Sequence, residues 1–385
     1  MNDLEVPPGP QAVEETIVSA QAAPDSIDSR TLIVTIFARA VKFQVEATPG
    51  SVPPFDFGDI KDSFTTLLTR LAPFIQRPIL TQTFRTQAVI RLTYTLKLLS
   101  NDPIPPINTW ASISSELPAS PEIRNFETSR CCETIFDLLP PSLPIPTSSN
   151  PRFRLAVFDM DSTLIDQEVI DELARSIDLT PAVSAITARA MNGEIDFATS
   201  LHERVSLLKG VRADIWASLR TDGSISIARG ARELTSGLKA MGVTTAVVSG
   251  GFTPMAEWLQ AQLGLDYAFA NHLLTAPPDD LFPYEHLSGA LDVGKPLIDA
   301  QQKKDILLRL AAEHGVPVEQ TIAVGDGSND LLMMHAAGMG IAFRAKEKVQ
   351  REAPRRSNGD SLEEILYLFG SGGELEHSSN DNSRS

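Results

Sequence analysis

Two aspartates lie two residues apart, directly after a short apolar run. The run extends from Leu155 to Phe158, and Asp159 and Asp161 follow it. Its length is that of a buried strand. Side chains at i and i+2 of an extended segment project to the same side, and two carboxylates on one face repel each other unless a cation or a shared proton lies between them. We interpret Asp159 as a candidate nucleophile, although a single aspartate in this place more often caps the next helix.

Two more polar clusters also follow apolar runs. The sequence SGGF at 249–252 follows the run 244–248, and GDGSND at 325–330 follows the run 321–324. In open parallel sheets, functional groups collect beyond the carboxyl ends of the strands. The three clusters are therefore predicted to meet at one site, although either of the later two, taken alone, could be a simple turn.

The glycine-containing cluster could bind an anion. Ser249 supplies a hydroxyl group, and Gly250 and Gly251 expose backbone N–H groups that can surround an oxyanion. A tight turn is the plainer interpretation of the same residues.

The last cluster would complete an acidic centre. Asp326 follows an apolar run directly, and Asp330 comes one helical turn later. With Asp159 and Asp161 they make four carboxylates, and oxygen-only ligation favours Mg²⁺. Such a site suits phosphoryl transfer, in which Asp159 attacks phosphorus and forms an aspartyl-phosphate. Asp161 could protonate the leaving alkoxide and then deprotonate the attacking water.

The elements that position these residues begin at residue 153. From there, short apolar runs alternate with amphipathic helical segments, which predicts a doubly wound parallel α/β sheet. Four helical segments without an intervening strand predict an inserted helical cap over about 169–225; they lie at 169–177, 181–191, 197–208 and 215–219. Further helices are predicted at 231–241 and 303–313, a strand at 340–343, and an irregular or hairpin-like stretch at 266–291. Lys303 and Lys304, at the start of a helix, are candidates to neutralise a phosphoryl group.

The region before residue 151 differs in composition. We predict a disordered tail at 1–30, a small α+β domain at 31–100, and a Pro/Ser-rich linker at 101–150 with one short helix near 131–139. The domain that contains the parallel sheet and the cap is expected at 151–369, and residues 370–385 are expected to be disordered.

Charge and cysteine content restrict the partners. A formal net charge of −16 argues against nucleic acid, because a phosphate backbone needs a basic face. There is no apolar run long enough to cross a membrane, and the acidic, Pro-rich N-terminus is typical of neither a secretory signal nor a transit peptide. Two adjacent cysteines in a long chain fit a reducing compartment, so we expect a cytoplasmic location without a membrane partner.

Several segments resemble the haloacid dehalogenase-like phosphohydrolases over about 153–369. They are FDMDSTLIDQEVIDELA, ITARAMNGEIDFATSLHERVSLLKG, VVSGGF, DAQQKKDILLRLA and VGDGSNDLLMMHAAGMGIAFRAKEKV. The DxD and GDGxND motifs alone are typical of the superfamily, whereas the stretch ending in RVSLLKG is similar to the members that hydrolyse phosphoserine. The resemblance therefore implies hydrolysis of O-phospho-L-serine to L-serine and phosphate, the last step of serine biosynthesis.

The resemblance also implies roles for individual residues. Asp159 would be the nucleophile and Asp161 the general acid/base. Mg²⁺ would be held by the Asp159 carboxylate, the Asp161 backbone carbonyl and Asp326, with Asp330 orienting the metal site. Lys303 is favoured over Lys304 because of the spacing in DAQ-x-K.

Other residues would bind the substrate. The phosphate would contact Ser249, Gly250, Lys303 and Asn329. Glu168 would meet the substrate ammonium group and Arg204 its carboxylate, while Met191 and Phe197 would line the apolar side of the cap. In plainer interpretations, Arg204 is a surface residue, Glu168 a charge in a first helical turn, and Phe197 part of the core.

Two alternatives stay open at this stage. One is a related phosphatase or phosphotransferase acting on another small phosphomonoester, and the other is a non-catalytic regulatory binding protein. The stretch 273–287 is longer than the corresponding hairpin of the family, and the N-terminal region does not clearly match the small regulatory domain of some relatives. We consider a homodimer as the protein assembly.

Overall fold

The computed structural model describes residues 14–17, 29–38, 57–72, 80–84, 89–97, 116–139, 143, 145–147 and 149–370. Thr147–Phe369 forms one compact unit, and the described residues before it belong to a second. The predicted tail after residue 370 lies outside the described residues. No helix in the described part of the chain combines the length and the apolar character needed to cross a membrane.

The N-terminal unit contains an antiparallel five-stranded sheet in the order β1-β3-β4-β2-β5. The strands are β1 (Glu14–Ile17), β2 (Ser29–Ala38), β3 (Leu80–Phe84), β4 (Val89–Lys97) and β5 (Cys132–Leu139). The helices are α1 (Phe57–Leu71) and α2 (Pro121–Arg130). Helix α1 buries Ile60, Phe64 and Leu68, because residues three or four apart share one helix face.

Three expectations for the region before residue 151 are wrong. The stretch 101–150 contains α2 and β5, and the segment near 131–139 is a strand and not a helix. Within this Pro- and Ser-rich stretch, Ser120 and Pro121 begin α2: Ser120 accepts a hydrogen bond from the Ile123 N–H at 3.3 Å, and Pro121 occupies the first turn. Cys131 adopts a left-handed conformation and ends the helix. The predicted disordered tail likewise contains β1, an edge strand held by backbone pairing with β3, which needs no apolar pattern.

The second unit contains a six-stranded parallel sheet in the order β13-β12-β11-β6-β7-β8. Its strands are β6 (Leu155–Phe158), β7 (Thr244–Phe252), β8 (Tyr267–Asn271), β11 (Thr321–Gly325), β12 (Met339–Phe343) and β13 (Arg355–Ser357). A separate hairpin consists of β9 (Leu273–Ala276) and β10 (His286–Leu291). The parallel sheet with its helices confirms the predicted α/β fold class. The stretch 266–291 was only partly predicted, because β8 within it joins the main sheet.

Helices follow the strands as a parallel sheet requires. Four lie in the predicted cap: α3 (Val169–Ser176), α4 (Thr180–Met191), α5 (Phe197–Ser206) and α6 (Ile215–Thr221). The others are α7 (Ala231–Ala240), α8 (Thr253–Leu263), α9 (Ala300–Glu313), α10 (Leu331–Ala336) and α11 (Glu347–Glu352), with 3₁₀ segments at Val318–Gln320, Ser328–Asp330 and Leu362–Phe369.

Strand β6 lies in the interior of the sheet. It pairs in parallel with β7 on one side and β11 on the other, and all four of its residues are fully buried. A strand covered on both faces reads as a continuous apolar run, which explains LAVF. The three polar clusters recognised in the sequence therefore emerge from three adjacent strands.

Candidate active site

Asp159 occupies the first position after β6. Its backbone N–H donates to the carbonyl of Val324 in β11 at 2.9 Å, and only 4% of the residue is exposed. Both hydrogen bonds to its side chain within the described structure reach Oδ1, one from the Met160 N–H at 2.7 Å and one from Lys303. The other carboxylate oxygen, Oδ2, is therefore the one available to attack phosphorus or to bind a metal.

A tight turn over Met160–Leu164 brings Asp161 back beside Asp159. Ser162 adopts a left-handed conformation with φ 55°, which reverses the chain direction within one residue. The Val169 N–H, at the start of α3, donates to Asp161 Oδ1 at 3.2 Å. A Cβ atom on Gly251 would lie 2.8 Å from Asp161 Oδ2. Position 251 therefore has to be glycine, because any side chain there would collide with the Asp161 carboxylate.

Lys303 connects two carboxylates at the centre of the site. Its Nζ donates to Asp159 Oδ1 at 2.6 Å and to Asp330 Oδ1 at 2.7 Å, and it is completely buried near the start of α9. Burial alone lowers the pKa of Lys303, but Asp159 and Asp330 together raise it above its ordinary value. Lys303 is thus a charged group at the centre of the candidate site.

Asp330 is fully occupied by protein groups. Its Oδ1 accepts from Lys303, and its Oδ2 accepts from the Gly327 N–H at 3.0 Å. A Cβ atom on Gly325 would lie 2.4 Å from the Asp330 side chain, so glycine is required there. With both oxygens engaged, Asp330 is suited to orient its neighbours.

The carboxylates outnumber the cations in this part of the structure. Burial and the nearby Asp330 raise the pKa of Asp159 well above its ordinary value, with Lys303 opposing them. Burial and Glu168 likewise raise the pKa of Asp161. Burial, Asp330 and Glu168 raise the pKa of Asp326 to about 7. A single lysine does not compensate this charge.

The same residues fit a divalent metal. Carboxylate oxygens of Asp159, Asp326 and Asp330 lie within 4.8 Å of one another. Asp330 uses both oxygens elsewhere, whereas Oδ2 of Asp159 and the partly exposed Asp326 are available. Oxygen-only donors and uncompensated negative charge are what Mg²⁺ requires.

The candidate phosphate-binding loop, residues 249–252, forms the carboxyl end of β7. Ser249 is completely buried, and its Oγ accepts a hydrogen bond from the Gly251 N–H at 2.8 Å. A Cβ atom on Gly250 would approach the Phe197 ring of the cap to 3.1 Å, so the absence of a side chain lets the cap reach the loop. Asn329 lies in the 3₁₀ turn after β11, and its amide oxygen would lie 2.1 Å from a Cβ atom on Gly327.

Charged cap residues face the acidic centre. Arg204 on α5 is half-buried, and burial lowers its pKa while Glu168, Asp171 and Asp161 oppose that shift. The Arg204 Nε donates to the Ser200 carbonyl at 3.3 Å. Glu168 immediately precedes α3 and accepts a hydrogen bond from the Ser162 hydroxyl at 2.9 Å. Met191 ends α4, but its side chain lies outside the described part of the structure.

Asn271, at the end of β8, was not predicted as a site residue. It is 2% exposed, and its Nδ2 donates to the Gly250 carbonyl at 2.9 Å. Its Oδ1 accepts the Ile298 N–H at 2.8 Å. Asn271 thereby joins the phosphate-binding loop to the segment that leads into α9 and Lys303. An asparagine in a stretch read as irregular gives no signal of this role.

The chain is similar to known hydrolases in sequence. Residues 153–338 match the model of the haloacid dehalogenase-like hydrolase family. A probable phosphoserine phosphatase of Schizosaccharomyces pombe is 48% identical over 217 residues, which cover 56% of this chain and 70% of that protein. A phosphoserine phosphatase of Saccharomyces cerevisiae is 43% identical over 218 residues, 56% of this chain and 67% of that protein. One from Streptomyces coelicolor is 44% identical, but this chain spans only 50% of its length.

Solved structures show the same fold. A haloacid dehalogenase family hydrolase from Salmonella enterica serovar Typhi superposes with a TM-score of 0.63 at 26% identity, covering 88% of this chain and 98% of that one. An unliganded probable phosphoserine phosphatase from Vibrio cholerae gives a TM-score of 0.56 at 26% identity, covering 88% of this chain and 86% of that one.

Proposed function

Because the chain belongs to the haloacid dehalogenase-like hydrolase family, we propose that it is a phosphatase that hydrolyses O-phospho-L-serine to L-serine and phosphate, the last step of serine biosynthesis. The main structural support is the buried Asp159–Lys303–Asp330 arrangement with Asp161 beside it. The choice of phosphoserine as the substrate is supported by relatives that are more than 40% identical and are named phosphoserine phosphatases.

The first half-reaction uses Asp159 and Asp161. Asp159 Oδ2 attacks phosphorus, the bond from phosphorus to the serine oxygen breaks, and an aspartyl-phosphate forms. Asp161 gives its proton to the departing serine oxygen. Burial and Glu168 raise the pKa of Asp161, which is the direction that a general acid requires.

The second half-reaction returns the enzyme to its starting state. Asp161, now ionised, takes a proton from a water molecule, which attacks phosphorus of the aspartyl-phosphate. The bond to Asp159 breaks, and phosphate leaves. Lys303 stays within hydrogen-bonding distance of Asp159 and offsets the negative charge on the transferring group.

We infer that Mg²⁺ is the cofactor, held by Asp159, the backbone carbonyl of Asp161 and Asp326, with Asp330 orienting the site. When bound, Mg²⁺ reduces the repulsion between the anionic nucleophile and the phosphate. Asp330 would orient the site through its hydrogen bonds with Lys303 and the Gly327 N–H.

The remaining site residues would bind the substrate. Ser249, Gly250, Lys303 and Asn329 would contact the phosphate. Arg204 would bind the substrate carboxylate, and Glu168 its ammonium group. Met191 and Phe197 would line the apolar side. Arg204 and Glu168 have opposite charges, as a zwitterionic amino-acid backbone requires.

We propose a cytoplasmic enzyme with a small-molecule substrate, no nucleic-acid or membrane partner, and a homodimer as the assembly to test. The phosphatase domain would extend over 151–369. We further propose a regulatory function for residues 31–100.

A panel of phosphomonoesters tests the proposed function. Phosphate release from O-phosphoserine, O-phosphohomoserine, O-phosphoethanolamine and p-nitrophenyl phosphate is measured with Mg²⁺ and after chelation. We expect phosphoserine to have the highest kcat/KM and activity to require Mg²⁺. A different best substrate would favour the related-phosphatase alternative, and no turnover of any ester would favour a binding protein.

A further inference from the structure

The hairpin formed by β9 and β10 has a loop at 277–285 (PPDDLFPYE) that the proposed chemistry does not use. The hairpin is not part of the six-stranded sheet. It begins directly after Asn271, and the Asp292 N–H closes its base by donating to the His272 carbonyl at 2.9 Å. The base of the hairpin therefore lies next to Asn271, which bonds to Gly250 in the phosphate-binding loop.

The free edge of β10 pairs with the segment 210–213 that follows α5. The Gly210 N–H donates to the Leu287 carbonyl at 2.9 Å, and the Leu287 N–H donates to the Val211 carbonyl at 2.7 Å. The Ala213 N–H donates to the Glu285 carbonyl at 2.9 Å. This cap segment thus acts as a third antiparallel strand of the hairpin.

Phe282 reinforces the pairing with a side-chain contact. Gly210 has φ +87°, and a Cβ atom there would lie 2.4 Å from the Phe282 ring. The ring therefore lies directly on the Gly210 backbone. The ring centre also lies 4.5 Å from that of His286, which is 2% exposed, and 6.3 Å from that of Tyr284.

The loop holds Phe282 in this position. Asp279 Oδ1 accepts the N–H groups of Leu281 at 2.9 Å and Phe282 at 2.6 Å. The Asp279 N–H donates in return to the Phe282 carbonyl at 2.8 Å. Leu281, in contrast, is 75% exposed. Phe282 packs on the cap segment, whereas its neighbour Leu281 is mostly exposed. Substitution of Leu281 is therefore a matched control for substitution of Phe282.

These contacts lead from the hairpin to the helix that carries Arg204, the residue proposed to bind the substrate carboxylate. Arg204 lies in the last turn of α5, six positions before Gly210. The hairpin also touches the end of this helix, since a Cβ atom on Gly289 would lie 3.2 Å from the Ser206 carbonyl. One connected set of hydrogen bonds and packing contacts therefore extends from Gly250 through Asn271 and the hairpin to α5.

We propose that Phe282 is a positioning residue that fixes the end of α5, and with it Arg204, relative to the phosphate-binding loop. This inference rests on the proposed function. The hairpin would then contribute to specificity for phosphate esters that bear a carboxylate without touching the substrate. Removal of the ring should loosen Arg204 while leaving Asp159, Asp161 and Lys303 in place.

The test compares two substrates that differ in the carboxylate. The ratio of kcat/KM for O-phosphoserine to that for O-phosphoethanolamine is measured for wild type, Phe282→Ala, Phe282→Leu and Leu281→Ala. We expect Phe282→Ala to lower the ratio about tenfold, mainly through the KM for phosphoserine, because a displaced binding group loses most of its benefit. Phe282→Leu should restore most of the ratio, and Leu281→Ala should leave it unchanged.

The ratio does not depend on the fraction of folded enzyme, so a partly unfolded variant is still informative. Tyr284→Ala is measured as a second variant, because the Tyr284 ring lies 4.9 Å from the Arg212 guanidinium in the paired segment; it should lower the ratio in the same direction. An unchanged ratio in both variants, which is also what equal losses on both substrates give, would overturn the role of the hairpin. It would leave the proposed function intact. A wild-type protein without preference for phosphoserine would overturn the proposed function.

Discussion

Replacing Lys303 with methionine tests whether the buried ammonium group organises the site. The substitution keeps an unbranched side chain, shorter by one atom, and removes the charge. It leaves Asp159 and Asp330 buried without the group that bonds them at 2.6 and 2.7 Å. Breaking a buried ion pair from one side costs about 3–5 kcal/mol. For a unit of this size, that loss lowers Tm by about 6–20 °C.

Catalysis should suffer as well. Removal of one group that stabilises developing charge typically lowers kcat about 10²- to 10³-fold. Lys304→Met is the matched control, because Lys304 is the adjacent residue and is only partly buried. Thermal unfolding by circular dichroism and phosphate release from phosphoserine are measured for both variants. A Lys303→Met protein with the Tm and kcat of Lys304→Met would refute the role of this residue.

Three further perturbations test other parts of the site. Asp159→Asn should abolish turnover because it removes the nucleophile, and it should lower Tm less than Lys303→Met does, because Lys303 keeps Asp330 as its ion-pair partner; substantial residual activity would contradict covalent catalysis. Arg204→Ala should lower kcat/KM for phosphoserine by about 10- to 100-fold, the loss of a charge-assisted hydrogen bond, and affect O-phosphoethanolamine much less; equal losses would mean that Arg204 does not bind the carboxylate. Burial raises the pKa of Asp326 to about 7 from 3.8, so the penalty for its charged form is fully present above pH 7 and decreases below it. The Tm of chelator-treated protein should therefore rise from pH 8 to pH 6. Saturating Mg²⁺ should remove that trend, and Asp326→Asn should weaken it, since Asp159 and Asp161 also have raised pKa values; a trend that neither changes would contradict this assignment.

Sequence reasoning was most reliable where a short apolar run ends in chemically specific residues. The run at 155–158 predicted β6, and the two later runs predicted the strands next to it. Parallel strands bring their carboxyl ends together, so the meeting of the three clusters followed from the pattern alone.

The rest depends on long-range contacts that local patterns do not encode. The strand β5 was predicted as a short helix, because its pairing with the distant strand β2 leaves no mark in the local sequence. Asn271 gave no signal, since its importance comes from bonds to Gly250 and Ile298 at distant positions in the chain. The pairing of 210–213 with β10 likewise joins segments more than seventy residues apart in sequence.

The most direct test of the central claim is to trap the covalent intermediate. The wild-type enzyme is mixed with phosphoserine and Mg²⁺, quenched in acid within milliseconds, and digested for peptide mass analysis. The account predicts the mass of one phosphoryl group on the peptide that contains Asp159, and its absence from Asp159→Asn. A phosphoryl group on another residue, or rapid turnover without any labelled peptide, would contradict it.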